Sequence, residues 1–375
     1  MDCLECMKII PILIFRLIVW TFPYCFKHFP PKHLNLDIQL QTVYCRQGGW
    51  YSNYYRESIS VRDTFYVLLG LKLRKRGFKE LILFIQRLAD DMNSKGQVPC
   101  RYEYSWFYGD TPCYLSKRSE IPEIDANIYF LIMAGWLVEP GETKILRSLF
   151  LNFQRAYEWI DVYHCQDTIY EPLDASWEYT LNHKGHLLLT NIIYIQAIRS
   201  MELIAMVNKN NELLKTCQIK HGIYIEKWQP ELYRTQEVLP RILGVYWNMV
   251  PYNFLMSFNQ SLPATLVPLR TNGPIKTKKT FHSWIRGKSD LHDTIIWPFI
   301  GFLWISILAE KMKKDVARGW WASYTEFHKP KILYDIYYHD TLMPINRAFL
   351  KAKPTHAVTV SMYTTAKHLI NALPV

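Results

Sequence analysis

One stretch decides the fold class of this chain: HLLLTNIIYIQAIRSMELIAMVN, residues 186–208. It is long and apolar on most of its faces, so as a helix it must be buried on nearly every side. The same character is found in IDANIYFLIMAGWLV (124–138) and HDTIIWPFIGFLWISILAEKM (292–312). A second kind of helix is amphipathic, as in ETKILRSLFLNFQRAYEWIDVY (142–163). The contrast predicts two layers of helices, an inner layer buried on both sides and an outer layer that faces water.

Further helices extend this pattern from Gln47 to the C-terminus. Two of them follow each other directly, RDTFYVLLGLKLRKRG (62–77) and FKELILFIQRLADDMNSKG (78–96), with Gly77 as the predicted C-cap of the first. The last predicted helix is THAVTVSMYTTAKHLI (355–370). No fixed repeat period appears, which argues against an α-solenoid. We therefore expect a two-layer helical ring.

Four long connections separate these helices, and long ordered loops usually carry function. Strand signals are few, and they lie inside these connections. The connections are 97–123, 164–185, 265–291 and 328–354, and short hairpins are predicted within 97–107 and 331–338.

The composition of the 375 residues supports a sizeable buried core, because 49% are hydrophobic and 21% are charged. Aromatic residues make up 15%, including 13 Trp and 25 Tyr. A sugar-binding cleft explains such an excess, since pyranose faces stack on flat rings while hydroxyls bind polar edges. Half-buried rings in a large helical protein explain it equally well. Composition alone leaves both interpretations open.

The formal net charge of +11 raises the question of nucleic-acid binding. The basic residues form only short runs, LKLRKRG (71–77) and KTKK (276–279), which are typical of solvated helix ends or loops. The sequence has no zinc-finger spacing, RNA-binding signature or glycine-rich phosphate loop. We expect no nucleic-acid partner.

The eight cysteines do not form a compact disulfide framework. Cys3 and Cys6 make a lone CxxC without a second pair, which is weak evidence for a metal. The pattern favours reduced thiols in an intracellular, cytoplasmic protein, and we expect no metal or other cofactor.

The N-terminal segment 1–45 is set apart from the predicted single domain, 46–375, by the apolar stretch IIPILIFRLIVWTFPYCF (9–26). This stretch approaches the length of a membrane span, but Arg16 interrupts it. The preceding MDCLECMK lacks the basic start of a signal peptide, and no small-residue cleavage site is clear. A buried or docking helix is the preferred interpretation, and a membrane anchor is the alternative.

Hydrolysis of a glycoside needs one carboxyl group that protonates the leaving oxygen and a second on the opposite side of the sugar. Four acidic clusters among aromatic residues are candidates for this chemistry. In the first, Arg62 and Asp63 open a helix and can bind adjacent sugar hydroxyls, although Asp63 would equally complement the helix dipole. In the second, Glu123 can cap an apolar helix, and Asp125 enters it, where a carboxylate must be paired or used.

The third cluster is a loop that contains three carboxyl groups, those of Glu171, Asp174 and Glu178. Carboxyl groups packed against rings have raised pKa values, as a general acid requires. Glu178 directly follows Trp177 and suits this role best. The fourth cluster offers Glu326, Asp335 and Asp340.

The order and spacing of these segments resemble the six-hairpin glycosidases, the group of glucoamylases, trehalases, neutral invertases and amylo-α-1,6-glucosidases. The matching segments are YYRESISVRDTFYVLLGL, PEIDANIYFLIMAG, WEYTLNHKGHLLLTNIIYIQAIRSMELIA, HDTIIWPFIGFLWISILAEKM and LYDIYYHDTLMPI. The likeness covers about residues 50–375. It implies an all-α (α/α)6 toroid, catalysis with inversion, and an oligosaccharide or disaccharide substrate with α-linked glucose.

The resemblance also implies roles for individual residues. Glu178 takes the place of the general acid, where many relatives have Asp. Asp335 takes the place of the catalytic base, usually Glu, and Glu326 is the alternative base. The residues that it implies in sugar binding are Arg62, Asp63, Glu123, Asp125, Trp177, His292 and Trp297.

Two departures from the family pattern motivate a second interpretation, a carbohydrate-binding or interaction protein without activity on the same scaffold. Asp335 is one methylene shorter than the usual Glu, which would displace the attacking water. The family's closing Trp-Ser-Ala-Gly-like segment is VTVSM (358–362) here, without the aromatic residue.

Overall fold

The computed structural model describes residues 40–41, 43–45, 47–52, 58–105, 109–115, 121–172, 185–235, 237–251, 295–311, 314–323, 337–338, 346–347, 350–351 and 356–372. The prediction for the apolar stretch 9–26 lies outside these residues, so it stays a prediction.

Helices dominate the described part of the chain. In chain order they are α1 (Val61–Leu73), α2 (Phe78–Asp90), α3 (Asp125–Gly135), α4 (Thr143–Ser148), α5 (Phe150–Asp161), α6 (Leu188–Val207), α7 (Asn211–Arg234), α8 (Val238–Tyr246), α9 (Pro298–Glu310), α10 (Lys314–Ser323) and α11 (Ala357–Asn371).

Six of these helices form a closed inner ring. Each packs against the next in the order α1, α3, α6, α8, α9 and α11, and α11 packs back against α1. They are the apolar helices of the chain: every residue of α3 is buried, and α9 is buried from Pro298 to Ala309. A helix that is apolar on all faces needs neighbours on all sides, and a position between two layers provides them.

The remaining helices form an outer layer. Helices α2, α5, α7 and α10 each pack against the inner helix that precedes them, and 252–294, after α8, lies outside the described residues. In α2 the buried side chains recur at intervals of three and four, as an amphipathic helix requires; they include Leu81, Phe84, Ile85 and Leu88. Contacts near the helix starts bring the N-termini of α1, α3, α9 and α11 together at one end of the ring.

Short strands lie in the connections that lead into inner helices. They are β1 (Ser58–Ser60), β2 (Arg101–Ser105), β3 (Gly109–Cys113), β4 (His164–Cys165), β5 (Thr168–Ile169), β6 (Ile295–Ile296), β7 (Tyr337–Tyr338), β8 (Asn346–Arg347) and β9 (Leu350–Lys351). The strands β1, β2 and β3 form an antiparallel sheet in that order, while β4 pairs with β5, β6 with β7 and β8 with β9. The strands β1 to β3 lie at the start of α1, β5 is hydrogen-bonded to Asn191 at the start of α6, and β6 directly precedes α9, so these strands belong to the N-terminal end of the ring.

Two glycines let inner helices approach closely. A Cβ atom on Gly70 of α1 would lie 2.6 Å from Ser361 Oγ of α11, and one on Gly135 of α3 would lie 2.4 Å from Ser200 Oγ of α6. Ser361 Oγ also donates a hydrogen bond to the carbonyl of Val67 at 3.0 Å. The contacts of Ser361 with Gly70 and Val67 join the first inner helix, α1, to the last, α11, and close the ring.

The predicted all-α class and two-layer ring are confirmed. The hairpin predicted within 97–107 is partly right, because β2 lies there but its partner β3 extends from Gly109 to Cys113. Within 331–338 only 337–338 is described, and this strand, β7, pairs with β6. The single helix predicted over 142–163 is wrong, because the chain breaks at Leu149 between α4 and α5. Gly77 is not the C-cap of α1, which ends at Leu73; with φ 77° it precedes α2 instead. Pro298 is the first residue of α9, a position that proline favours.

One described helix, α6, is long and apolar enough to cross a membrane, and 78% of its most apolar window is buried within the structure. Its place in the inner ring accounts for this apolar character.

Candidate functional site

The N-terminal end of the inner ring collects several of the predicted site residues. Ser60 caps α1, because its Oγ accepts a hydrogen bond from the backbone N–H of Asp63 at 3.3 Å. Arg62 and Asp63 therefore occupy the first turn of α1, and Asp125 is the first residue of α3. Since α1 and α3 are neighbours in the ring, the two predicted clusters meet.

Arg62 and Asp125 form the central ion pair. Arg62 Nε donates to Asp125 Oδ2 at 2.7 Å, and Nη2 lies 2.5 Å from the same oxygen. Glu123 adds a second carboxylate, with Oε2 at 3.6 Å from Nη2. Only 5% of the Asp125 side chain is exposed, against 17% for Arg62. Charge-assisted contacts of this kind fix the direction of both groups.

Arg101, a residue that sequence reasoning missed, extends the cluster. It lies on β2 opposite Ser60 of β1, with Nη1 at 3.8 Å from Glu123 Oε1. Its Nε donates to Glu103 Oε1 at 2.9 Å, and Nη1 donates to the carbonyl of Leu115 at 2.6 Å. The alternation of Arg101 and Glu103 along a strand is a sequence signal for a shared face. Glu123 thus lies between two guanidinium groups.

Asp63 is held from the other side by Ser52, a second residue that was missed. Ser52 Oγ donates to Asp63 Oδ2 at 2.8 Å, and the Ser52 carbonyl accepts from the backbone N–H of Ala357 at 3.1 Å. Ala357 begins α11, so Ser52 connects the starts of the first and last inner helices. The carboxylate of Asp63 is thereby fixed while its residue stays partly exposed.

Burial and charge act against each other in this cluster. Burial raises the pKa of Asp125 and of Glu123, and the adjacent Arg62 opposes that rise in both. Burial alone would lower the pKa of Arg62, but Asp125 and Glu123 raise it above its ordinary value. Arg62 is therefore a fixed positive charge beside Asp125 and Glu123.

Two buried tyrosines, Tyr66 and Tyr129, lie next to the cluster on the inner helices α1 and α3. The hydroxyls of Tyr66 and Tyr129 are 3.4 Å apart, and both residues are buried. Burial raises the pKa of both phenols, so they are neutral at physiological pH. Surroundings of low polarity strengthen the charged hydrogen bonds above them.

Trp297 approaches the same pair of tyrosines from helix α9, which contacts α1 directly. It lies at the N-cap of α9, is partly exposed, and meets the ring of Phe299 edge-on at 6.4 Å. Phe299 in turn packs against Tyr66, with ring centroids 5.4 Å apart. Trp297 and Arg62 therefore lie at the same end of the ring, and a partly exposed indole suits a sugar ring.

The predicted catalytic residues lie outside the described residues, as do two of the residues implied in sugar binding: Trp177, Glu178, His292, Glu326 and Asp335. Their roles stay predictions. The strand β6 begins three residues after His292, and β7 begins two residues after Asp335. Because β6 pairs with β7, the chain just downstream of His292 meets the chain just downstream of Asp335.

No group of three or more His, Cys, Asp and Glu that could hold a metal ion occurs within the described ranges. The cluster of Arg62, Asp63, Glu123 and Asp125 offers guanidinium donors and carboxylate acceptors side by side. Such a set can hold adjacent hydroxyl groups of a polyol in one orientation.

No family model and no curated protein matches the sequence. Solved structures do match. A GH63 mannosylglycerate hydrolase from Thermus thermophilus in complex with glucose is 10% identical, with a TM-score of 0.60 over 92% of this chain and 100% of that one. A rhamnosidase from Klebsiella oxytoca with rhamnose bound is 11% identical, with a TM-score of 0.59 over 90% and 65%. A bacterial glucoamylase complexed with acarbose is 11% identical, with a TM-score of 0.56 over 89% and 55%.

These likenesses show that the chain has the six-hairpin (α/α)6 glycosidase fold, as the resemblance of its segments implied. The matched proteins bind different sugars, glucose, rhamnose and acarbose. What they share with this chain is the fold.

Proposed function

We propose that this chain is an inverting glycoside hydrolase that acts on α-linked glucosides or oligosaccharides. One observation carries the proposal. Residues from three separate stretches, chosen from the sequence as sugar-binding, lie at one end of the glycosidase-type ring: Arg62 and Asp63 on α1, Asp125 on α3 and Trp297 at α9. The connections that contain the short strands lie at the same end of the ring.

In this proposal Arg62 and Asp63 bind neighbouring hydroxyls of the sugar, and Trp297 stacks on its ring. Glu178 donates a proton to the leaving oxygen, and Asp335 activates water on the opposite face. Inversion needs the two carboxyl groups about 6.5–9.5 Å apart, so that water fits between base and sugar. The fixed charges at Arg62 and Asp125 supply orientation, which is a large part of enzymatic acceleration.

The test is turnover with a panel of α-linked disaccharides and oligosaccharides, followed by quantification of the released monosaccharide. Because a general acid or base contributes about 10²–10⁴-fold, we expect Glu178→Gln and Asp335→Asn to lose activity by at least that factor. Asp174→Asn is the matched control, since it neutralises a nearby carboxyl group in the same loop. Circular dichroism verifies that each variant is folded.

Other outcomes reassign the roles. Loss of activity in Glu326→Gln with activity retained in Asp335→Asn would make Glu326 the base. Full activity in Glu178→Gln would refute its role as the acid.

A second candidate function, sugar binding without hydrolysis, is favoured by the start of α11. There the residues from Ala357 to Ala366 are all buried, and the aromatic of the family's closing segment is absent from VTVSM (358–362). Calorimetry distinguishes the two candidates. Saturable binding of an oligosaccharide with no product, even after long incubation, would favour the binding protein.

A further inference from the structure

The outward face of the outer helix α7 exposes two isoleucines. Most of this face is polar, but Ile219 is 57% exposed and Ile223 is 41% exposed. Because they are four residues apart, the two side chains lie next to each other on consecutive turns. Single exposed apolar residues are common on proteins, whereas apolar neighbours on one face of a helix indicate a contact surface.

Four exposed residues form a straight row through this surface: Lys215, Ile219, Gly222 and Glu226. We call this row the α7 stripe. Its spacing of four, three and four residues is the repeat with which two helices pack side by side at about 20°. The row ends before Pro230, so it lies on the regular part of α7.

Gly222 makes a notch in the stripe. A Cβ atom built on this glycine would meet nothing within 4 Å, so its outward side is open. The side chain of Ile219 is on the preceding turn of the same row, and more than half of it is exposed. A projecting side chain and a notch on one helix are the two halves of a knobs-into-holes contact.

The stripe is complementary to itself in an antiparallel pair. When a second copy of α7 is placed about a two-fold axis midway between residues 220 and 221, each Ile219 faces the partner's Gly222. The same axis places each Lys215 opposite the partner's Glu226, because the two pairs have the same midpoint. A two-fold interface requires this reciprocity, in which both copies present the same patch.

The charges select the antiparallel arrangement. Among the residues that the structure describes, neither Lys215 nor Glu226 forms an ion pair. Eleven residues, or about 16 Å of helix, separate the two groups, so they do not neutralise each other within one chain. An antiparallel partner pairs opposite charges, whereas a parallel partner in register would pair like charges.

We propose that the α7 stripe is a homodimer interface, in which it packs antiparallel against the same stripe of a second copy of this chain. The stripe covers about 12 residues, or about 18 Å of helix, so the contact is smaller than a standard interface of about 1,600 Å². The dimer is therefore reversible, with a dissociation constant on the order of 10 μM. No residue of the candidate site takes part, so this interface is independent of the proposed function.

The first test is sedimentation equilibrium of the full chain over a dilution series. We expect the average mass to rise with concentration from that of one chain towards that of two. Ile219→Asp, which places a charge against the notch, should weaken association at least 10-fold. Leu151→Asp is the matched control, because it makes the same kind of change at an aliphatic residue that is 70% exposed on α5; we expect it to leave association unchanged.

The second test is charge reversal at low salt. Lys215→Glu and Glu226→Lys should each weaken association about 10-fold, since each replaces two attractive contacts by two repulsive ones. The double variant restores both pairs and should associate within about 3-fold of wild type. Gly222→Leu fills the notch and should abolish association without lowering the melting temperature, because leucine favours a helix more than glycine does.

Circular dichroism verifies that each variant is folded. A wild type that stays monomeric at every concentration would overturn the proposal and leave the stripe to a different partner. A dimer that Ile219→Asp leaves intact, that Leu151→Asp weakens equally, or that the double charge reversal fails to restore would also overturn it.

Discussion

The ion pair between Arg62 and Asp125 leads to a quantitative prediction about stability. Asp125→Ala removes both contacts on Oδ2, at 2.7 and 2.5 Å, and leaves Arg62 with Glu123 at 3.6 Å. Removing one partner of a buried pair costs about 3–5 kcal/mol, because the other charge stays buried without compensation. Since Arg62 is 17% exposed and keeps Glu123, we expect the lower part of that range, about 3 kcal/mol.

The assay is urea unfolding followed by circular dichroism, which gives the free energy of unfolding of each variant. The control is Glu139→Ala, which breaks the contact between Lys72 Nζ and Glu139 Oε2 at 2.9 Å. That pair is 27% and 73% exposed, and exposed pairs contribute about 0–1 kcal/mol.

A double variant separates the loss of the pair from the loss of packing. Arg62→Met with Asp125→Leu removes both charges and keeps apolar volume, so it should be more stable than Asp125→Ala. The reasoning would be refuted if Asp125→Ala cost no more than Glu139→Ala, since Arg62 would then be stable without its partner.

Three further predictions concern packing, pH and binding. Gly70→Ala places a Cβ 2.6 Å from Ser361 Oγ, so we expect a loss of about 1–3 kcal/mol in unfolding free energy; wild-type stability in urea would contradict this. Burial, with help from nearby Lys220, lowers the pKa of His164, so the unfolded chain binds more protons and stability falls as pH drops through about 6.5. His164→Gln should lose less stability than wild type between pH 7.5 and 5.5, and an equal loss would exclude His164 as a cause. Under the proposed function, Trp297→Ala should weaken binding of an α-linked oligosaccharide about 10-fold in calorimetry, since an aromatic contact contributes about 0.5–1.5 kcal/mol beyond its area; unchanged affinity would remove Trp297 from the site.

The layered helical architecture was predictable because its signal is local. The inner helices α3, α6 and α9 are apolar on most or all of their faces, and this pattern needs no knowledge of distant partners. The outer helix α7 was missed. Its exposed face is largely polar and it contains Pro230, so neither periodicity nor propensity indicates a helix of this length. It forms because its buried face packs on α6, including Cys217 and Trp228.

The candidate site was predictable only in part. The resemblance of segment order assigned both Arg62 and Asp125 to one sugar-binding site, and in the structure they form an ion pair. Arg101 was missed because its place depends on the register of β2 against β1, where it pairs with Ser60. That register is set by contacts far apart in sequence.

The measurement that tests the central claim most directly is proton NMR of the sugar released at early times from an α-linked glucoside, with wild type beside Glu178→Gln. The anomeric signals show which face of the sugar water attacked, before mutarotation mixes the products. We expect the β-anomer from wild type and no product from Glu178→Gln. Release of the α-anomer, or equal product from both proteins, would contradict it.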